Sequence, residues 1–562
     1  MESELLLTRR HLVKGGAAAI ALSATPSNAR ALAADAGQRP QRMITGVVFE
    51  DLSGAGVRRS GDSGIAGVLV SNGRDVARTD GEGRYRLPVD NETIVFVIKP
   101  TGYSVPIDRD GMLPRFYYIH QPDGTPAQMG LRERGIDPTG ELPQSVDFAL
   151  RKADEPDRFD VILFTDPHAE NAAAIDYIRM DVVNGLIGTG AAFGMTLGDL
   201  MSDDLSFYDR YNRVIGQIAI PWYNIAGNHD LNLRASGRKY SSETFKRVFG
   251  PNYYAFEYGG ILFLMLDNVD YLGGGKYQGR LGEEQLAFVS NVLSETPADR
   301  PVVAAMHIPL RSYLDPNDPT VNTLDGSELI EIIGDRPSVS FSGHTHTTEH
   351  HYLGDETATP KRRHHHHVLT ALSGSWWSGP YDHRGVAVAD CPDGNPNGFH
   401  VLSVDGNCFT TRFRPAKEPE DRQMRIVLAR ADQSSTEDKF EMGRLFGAPI
   451  RQDRVGKTEV IVNVFDGGPH TTVEYRIGEF PPVAMRRETR PDPFIQEVFA
   501  RNQATKKPWA ELEPCSHTWT ARLPVDLKAG THCIMVRVVD EHGREYRDRL
   551  CMEVAAAPAP RG

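Results

Sequence analysis

The sequence predicts an α/β core set between two β-rich modules, and three features of the chain carry that reading. From about residue 159, continuous apolar runs alternate with helix-like stretches; before it lie short β-prone runs broken by Gly, Asp and Asn turns; after about Pro415 the chain turns β-prone again. Continuous apolar runs belong to strands covered on both faces, as in a sheet with helices packed on it. At 562 residues the chain is also too long for one hydrophobic core, so several domains are expected.

Taken in order, residues 1–33 read as an export signal rather than as structure. Thr8-Arg9-Arg10-His11-Leu12-Val13-Lys14 has the form of a twin-arginine motif, the weakly apolar run 17–24 follows, and Ala31-Leu32-Ala33 supplies small residues for cleavage. The expected destination is the periplasm or the medium, reached through the twin-arginine export machinery. Residues 42–150 form the first β-rich module. Gly64-Ile65-Ala66-Gly67-Val68-Leu69-Val70-Ser71-Asn72-Gly73, with Thr79-Asp80 and Gly83-Arg84-Tyr85 behind it, resembles the small carboxypeptidase-regulatory-like β-sandwiches. Asp51, Ser53 and Asp62 have calcium-loop chemistry, but Arg58 and Arg59 interrupt them and argue against it. The charged stretch 151–158, with Pro156, reads as a linker.

The core spans 157–415. Its expected strands are the apolar runs 161–164, 192–197, 223–226, 261–266, 302–306, 338–341 and 368–372, with amphipathic helices over 172–186, 208–218 and 283–293. Residues 416–556 form the second β-rich module, and the end of the chain from about 555 reads as a disordered tail.

Composition narrows the function classes. A hydrophobic share of 40% and a charged share of 24% are those of ordinary globular protein. No stretch after the signal reaches the roughly 18 apolar residues that cross a bilayer, so no integral membrane association is expected. The net charge of −13 argues against a nucleic-acid duplex as partner. None of the five cysteines forms a CxxC pair, which argues against a zinc ribbon. In an oxidising compartment Cys391–Cys408 and a pair among Cys515, Cys533 and Cys551 are the candidate disulfides.

Five polar clusters each follow an apolar run. They are Asp166-Pro167-His168, Gly198-Asp199, Gly227-Asn228-His229-Asp230, His307 and Gly343-His344-Thr345-His346. Loops at the carboxyl ends of strands gather at one edge of an α/β sheet, so five such loops converge. Histidine, aspartate and asparagine without thiolate suit Zn, Mn or Fe, and a carboxylate can bridge two such ions. The glycines are expected to turn the backbone sharply ahead of each donor.

Together these clusters resemble the ordered motif set of the calcineurin-like metallophosphoesterases, in the bacterial three-part subgroup with N- and C-terminal β domains. The resemblance implies a central two-sheet β-sandwich flanked by helices. It implies two divalent ions (Mn, Zn or Fe), with Asp166, His168, Asp199 and His346 holding one and Asn228, His307 and His344, sharing Asp199, the other. It further implies hydrolysis of a small phosphate mono- or diester by metal-bound hydroxide, with His229 as general acid. Relatives often place an Asp three residues after the bridging one to orient that histidine. Here the position is Ser202, which leaves Asp203 or Asp204 to take the role, or His229 to be held differently. A non-catalytic exported binding protein with a vestigial metal site is the alternative.

Other residues are expected to be bystanders. Asp230 reads as a brace for its loop and Asp267-Asn268 as structural; His350 and His351 read as bystanders, and His364-His365-His366-His367 has the look of a metal tract or a purification tag but, inside the chain beside Arg362 and Arg363, reads rather as a solvated loop. Trp376 and Trp377 are open to a substrate-stacking role or to packing against the C-terminal module, and Tyr381 has a weaker claim.

Overall fold

A computed structural model describes residues 42–354, 364–430 and 449–556. The expected export signal lies outside the described residues. Two sheets build the core. The five-stranded one runs Trp222–Ile225, Phe193–Leu197, Arg158–Phe164, Gly398–Asp405 and Cys408–Pro415 in spatial order. The six-stranded one runs Tyr254–Tyr258, Ile261–Met265, Val302–Ala305, Ser338–Ser342, His364–Val368 and Glu349–Leu353. The first three strands of one sheet and four consecutive strands of the other are parallel, which brings their carboxyl ends to one edge.

The alternation of side chains across a strand explains why both sheets are buried. Val161 and Leu163 point between the sheets, while Ile162 and Phe164 point outward under the helices Ala172–Ile178 and Tyr208–Ile215. Aromatic rings fill the space between sheets. Phe193 and Tyr223 of one meet Phe256 and Phe263 of the other, with Tyr223 stacked on Phe256 at 4.0 Å between centroids. The helices Glu283–Ser294 and Gly326–Ile333 cover the outer face of the six-stranded sheet through Leu286, Phe288, Val292 and Leu329.

Two four-stranded sheets precede this core, and a four- and a five-stranded sheet follow it. The last pair encloses its own core of Val460, Val462, Tyr475, Trp519 and Val536. The linker 151–158 is held down, its Glu155 side chain buried, paired with Lys99 at 2.6 Å and accepting backbone N–H groups from Gly102 and Gly259. Two expectations change. The strand expected at 368–372 lies instead over His364–Val368, inside the sheet. As the interrupting arginines suggest, the Asp51 carboxylate serves its own loop, accepting the N–H groups of Ser53, Gly54, Ala55 and Gly56. All five cysteines are free thiols: Cys391 is buried and Cys408 exposed, whereas Cys533 and Cys551 stand opposite each other on neighbouring strands.

Candidate metal centre

The sharp turns that end the parallel strands place their donors by an unusual backbone. Ten non-glycine residues among those described have positive φ, and eight of them lie at this edge: Asp166, His168, Asp199, Asp203, His344, His346, Trp376 and Trp377. Each such residue costs of order 1–3 kcal/mol and persists only where its surroundings dictate it. The glycines have a different job from the one expected. Only Gly198 has positive φ (91°). Gly227 and Gly343 are required by crowding: a Cβ at Gly227 would overlap Asp199, and one at Gly343 would overlap Thr165 and the Asp166 carboxylate.

All seven sequence-proposed donors meet at this edge. His168 Nε2 lies 2.9 Å from His346 Nε2, with Asp166 Oδ1 3.5 Å from the latter. His307 Nε2 lies 3.2 Å from His344 Nδ1 and 3.1 Å from Asn228 Oδ1. Asp199 Oδ2 stands between the two groups, 3.5 Å from His168 Nε2 and 3.3 Å from His307 Nε2. Asp166, His168, Asp199, Asn228, His307 and His346 are all buried.

These contacts decide whether a pair of cations fits. Each histidine has its outer nitrogen committed: His346 Nδ1 to the Gly374 carbonyl, His307 Nδ1 to the Leu197 carbonyl, His344 Nε2 to the Thr320 carbonyl and His168 Nδ1 to the Ser202 hydroxyl. A carbonyl only accepts, so in the neutral rings of His346, His307 and His344 the inward nitrogen carries a bare lone pair. Bare lone pairs about 3 Å apart repel, unless they share a cation, whose nitrogen ligands sit at about 2.0–2.1 Å and so about 3 Å from each other. The donor set therefore fits two divalent ions, with Asp199 reaching both.

The electrostatics agree. Burial pushes the Asp199 carboxyl up, but the imidazoles of His307 and His229 outweigh it and hold the group well below the carboxylate range. Burial holds His168 and His344 well below the usual imidazole value, hence neutral, the form that ligates. Burial acts downward on His307 too, yet Asp199 raises it to about 9, so a proton occupies the place of positive charge when no cation is there.

Around these donors, His229 Nδ1 is 2.9 Å from Asp203 Oδ1, so Asp203 fills the orienting position and Asp204 does not. Asp204 instead accepts from Ser206 N and pairs with Arg132 at 2.9 Å. Ser202, at the departed position, braces His168. Asp230 accepts the N–H groups of Gly227, Leu200 and Met201; burial, with Asp199 nearby, raises it to about 7, and it is a brace. Asn268 Oδ1 accepts the N–H groups of His307 and Ile308, fixing that loop.

The tryptophans divide. Trp376 stacks on His346 at 4.0 Å and also packs beside Ile495 and Phe499 of the C-terminal module. Trp377 is buried away from the cleft, its indole N–H donated to the Pro167 carbonyl, so it holds the Asp166–His168 turn rather than a substrate. Tyr381 is 61% exposed. Sequence reasoning missed Thr165, beside Asp166, and the three carbonyls that fix the imidazoles. Backbone carbonyls leave no trace in residue identity.

Residues 159–348 match the sequence profile of the calcineurin-like phosphoesterases, 53–131 that of the N terminal of calcineurin-like phosphoesterase and 366–546 that of its C terminal. Similar solved structures include a purple acid phosphatase from yellow lupin (Lupinus luteus) seeds, 14% identical over 62% of this chain and 72% of that one, with a TM-score of 0.36. Another is a dimetal phosphatase from Danio rerio, 15% identical over 47% of this chain and 98% of that one, with a TM-score of 0.32. None of the curated proteins matches the chain.

Proposed function

The chain belongs to the calcineurin-like phosphoesterases, and from that premise we propose that it hydrolyses phosphodiesters outside the cytoplasm after twin-arginine export. The observation that carries the hydrolytic reading is the convergence of inward ring nitrogens, His168 with His346 and His307 with His344, around the shared Asp199. Two divalent ions held there would polarise the phosphoryl oxygens and make water a nucleophile near neutral pH. Asp166, His168, His346 and Asp199 would hold one, and Asn228, His307, His344 and Asp199 the other.

The chain's own groups do the rest. His229 is partly exposed at the mouth of the site, where its Nε2 is the atom placed to donate a proton to a departing alkoxide. Asp203 fixes the ring through Nδ1 and favours the charged imidazolium that the donor step requires. Trp376 walls one side.

A diester is favoured over a monoester because the basic side chains tethered beside the site are already neutralised. Lys507 is ion-paired with Glu170, two residues after His168, and Arg132 with Asp204, next to Asp203. A monoester dianion asks for positive groups to spare. The test is hydrolysis of bis(4-nitrophenyl) phosphate against 4-nitrophenyl phosphate by the Mn- or Zn-loaded protein. Faster turnover of the diester supports the proposal; preference for the monoester makes the enzyme a phosphatase. Bound metal with neither ester cleaved favours the non-catalytic binding protein.

A further inference from the structure

The four consecutive histidines form a buried strand, and its two faces have different lives. His364 and His366 turn toward the hydroxyls of Ser338, Ser340 and Ser342 and find ordinary hydrogen-bond partners there. His367 turns the other way, toward the C-terminal module, where it stacks on His350 at 3.9 Å and meets His400 edge-on at 5.1 Å. Asp466, just past the strand Thr458–Val464 of that module, reaches in among them. The Nε2 atoms of His350, His367 and His400 lie 3.3, 3.0 and 3.3 Å from one oxygen, Asp466 Oδ1. All three imidazoles are fully buried.

We propose that His350, His367, His400 and Asp466 hold a structural divalent transition-metal ion, zinc by preference, that fastens the C-terminal module to the catalytic sheets. The site shares no residue with the catalytic pair. Three observations carry it.

The first is aim. His367 Nε2 is 3.0 Å from Asp466 Oδ1 without hydrogen-bond geometry and has no other hydrogen-bond partner among the described residues, whereas the Nε2 atoms of His350 and His400 reach the same oxygen in long hydrogen bonds of 3.3 Å. Ligand atoms around a common ion lie about 3 Å apart without pointing at one another, whereas donor and acceptor point directly. The second is support from behind. His350 Nδ1 is 3.0 Å from His365 Nε2, and His367 Nδ1 is 3.3 Å from the Thr411 hydroxyl, the arrangement that fixes ring orientation in ligating histidines. The third is the donor set. His350, His367 and Asp466 bring ligand atoms within 4.8 Å of one another, and His400, 3.3 Å from the same Asp466 oxygen, is the fourth; three imidazoles and one carboxylate, without thiolate, suit zinc in four-coordinate geometry. Burial of all three rings leaves no open position for substrate, which makes the site structural.

The test is zinc stoichiometry on the full chain, loaded with zinc alone, freed of excess and analysed by elemental mass spectrometry. The expected content is three ions per chain. His400→Gln with Asp466→Asn lowers it to two. Replacing the central donors instead (Asp166→Ala, Asp199→Ala and His307→Ala) leaves one, which adding Asp466→Asn removes. The central variant also keeps the proposal testable if the first pair misfolds, since its histidine cluster is intact. Loaded with cobalt(II), it should show the visible absorption of a four-coordinate ion. Two ions in the unaltered chain, no residual ion in the central variant, or a third ion that survives His400→Gln and Asp466→Asn would each overturn the assignment.

Discussion

Asp203 gives the sharpest handle on how the site works, because it touches the reaction only through His229. The Nδ1···Oδ1 distance of 2.9 Å is a good hydrogen bond, and both side chains are 19% exposed. A hydrogen bond to a charged partner contributes about 1.5–3 kcal/mol against about 0.5–1.5 for a neutral one. Asp203→Asn removes the charge and keeps an acceptor, so the difference of about 1–1.5 kcal/mol is expected to lower kcat/KM about 5–13-fold on an ester with a poor leaving group. Asp203→Ala removes the whole interaction, and a loss of roughly 10–150-fold follows from the full 1.5–3 kcal/mol. The Asn variant is the cleaner one. Asp203 sits at φ 69°, a conformation Asn tolerates and Ala does not. The assay compares kcat/KM on a methyl nitrophenyl-type diester, whose aryl leaving group needs no proton, with that on a dialkyl ester, whose leaving group does. The loss should fall on the dialkyl ester. Equal losses on both, or none on either, would refute the positioning role and remove His229 from the proton-donor step.

Four further outcomes follow from the same geometry. His229→Ala should lower the rate on alkyl esters by about 10²–10⁴-fold while sparing activated aryl esters, measured as kcat/KM across a leaving-group series. Gly343→Ala, whose methyl would overlap Asp166 and Thr165, should abolish metal retention and turnover together, read by elemental analysis beside activity. Asp390 is raised by burial from its ordinary 3.8 to about 6 in the fold, despite Arg425 nearby. The unfolded chain therefore releases that proton first, and the group costs up to about 3 kcal/mol of stability as pH rises from about 4 to 6. Asp390→Asn should accordingly gain Tm relative to the unaltered protein as pH climbs through that window, with no gain below pH 4. Chelation should abolish hydrolysis and lower Tm, and restoring Mn or Zn should recover both, followed by thermal-shift and rate measurements.

The catalytic edge was legible in the sequence because its donors are local. Each follows its own strand by two to four residues, so the five clusters announce both identity and place. The orienting carboxylate was half legible. Ser202 at the departed position left Asp203 and Asp204 equal, and only the turn that puts Asp203 at positive φ beneath His229 separates them. Gly227 and Gly343 could be marked as special but not explained, since what crowds Gly343 arrives from Thr165 and Asp166 far earlier in the chain. The histidine run was misread for a related reason. Four polar rings beside two arginines look solvated, and what buries them is distant in sequence: serines of a neighbouring strand on one face, and His400 and Asp466 on the other. Partners of that kind have no periodicity to betray them. The adjacent tryptophans also look alike in the sequence, yet consecutive positive-φ residues send one over His346 and the other into the core.

The central claim is that two ions sharing Asp199 perform the hydrolysis, and a titration tests it most directly. Metal-free protein would receive Mn in measured equivalents while bound metal and bis(4-nitrophenyl) phosphate hydrolysis are followed together, with Asp199→Ala alongside. The expected result is activity that appears only as the second catalytic ion binds, and an Asp199→Ala protein that neither holds the pair nor turns over. Full activity with a single ion bound, or an Asp199→Ala variant as active as the unaltered chain, would contradict it.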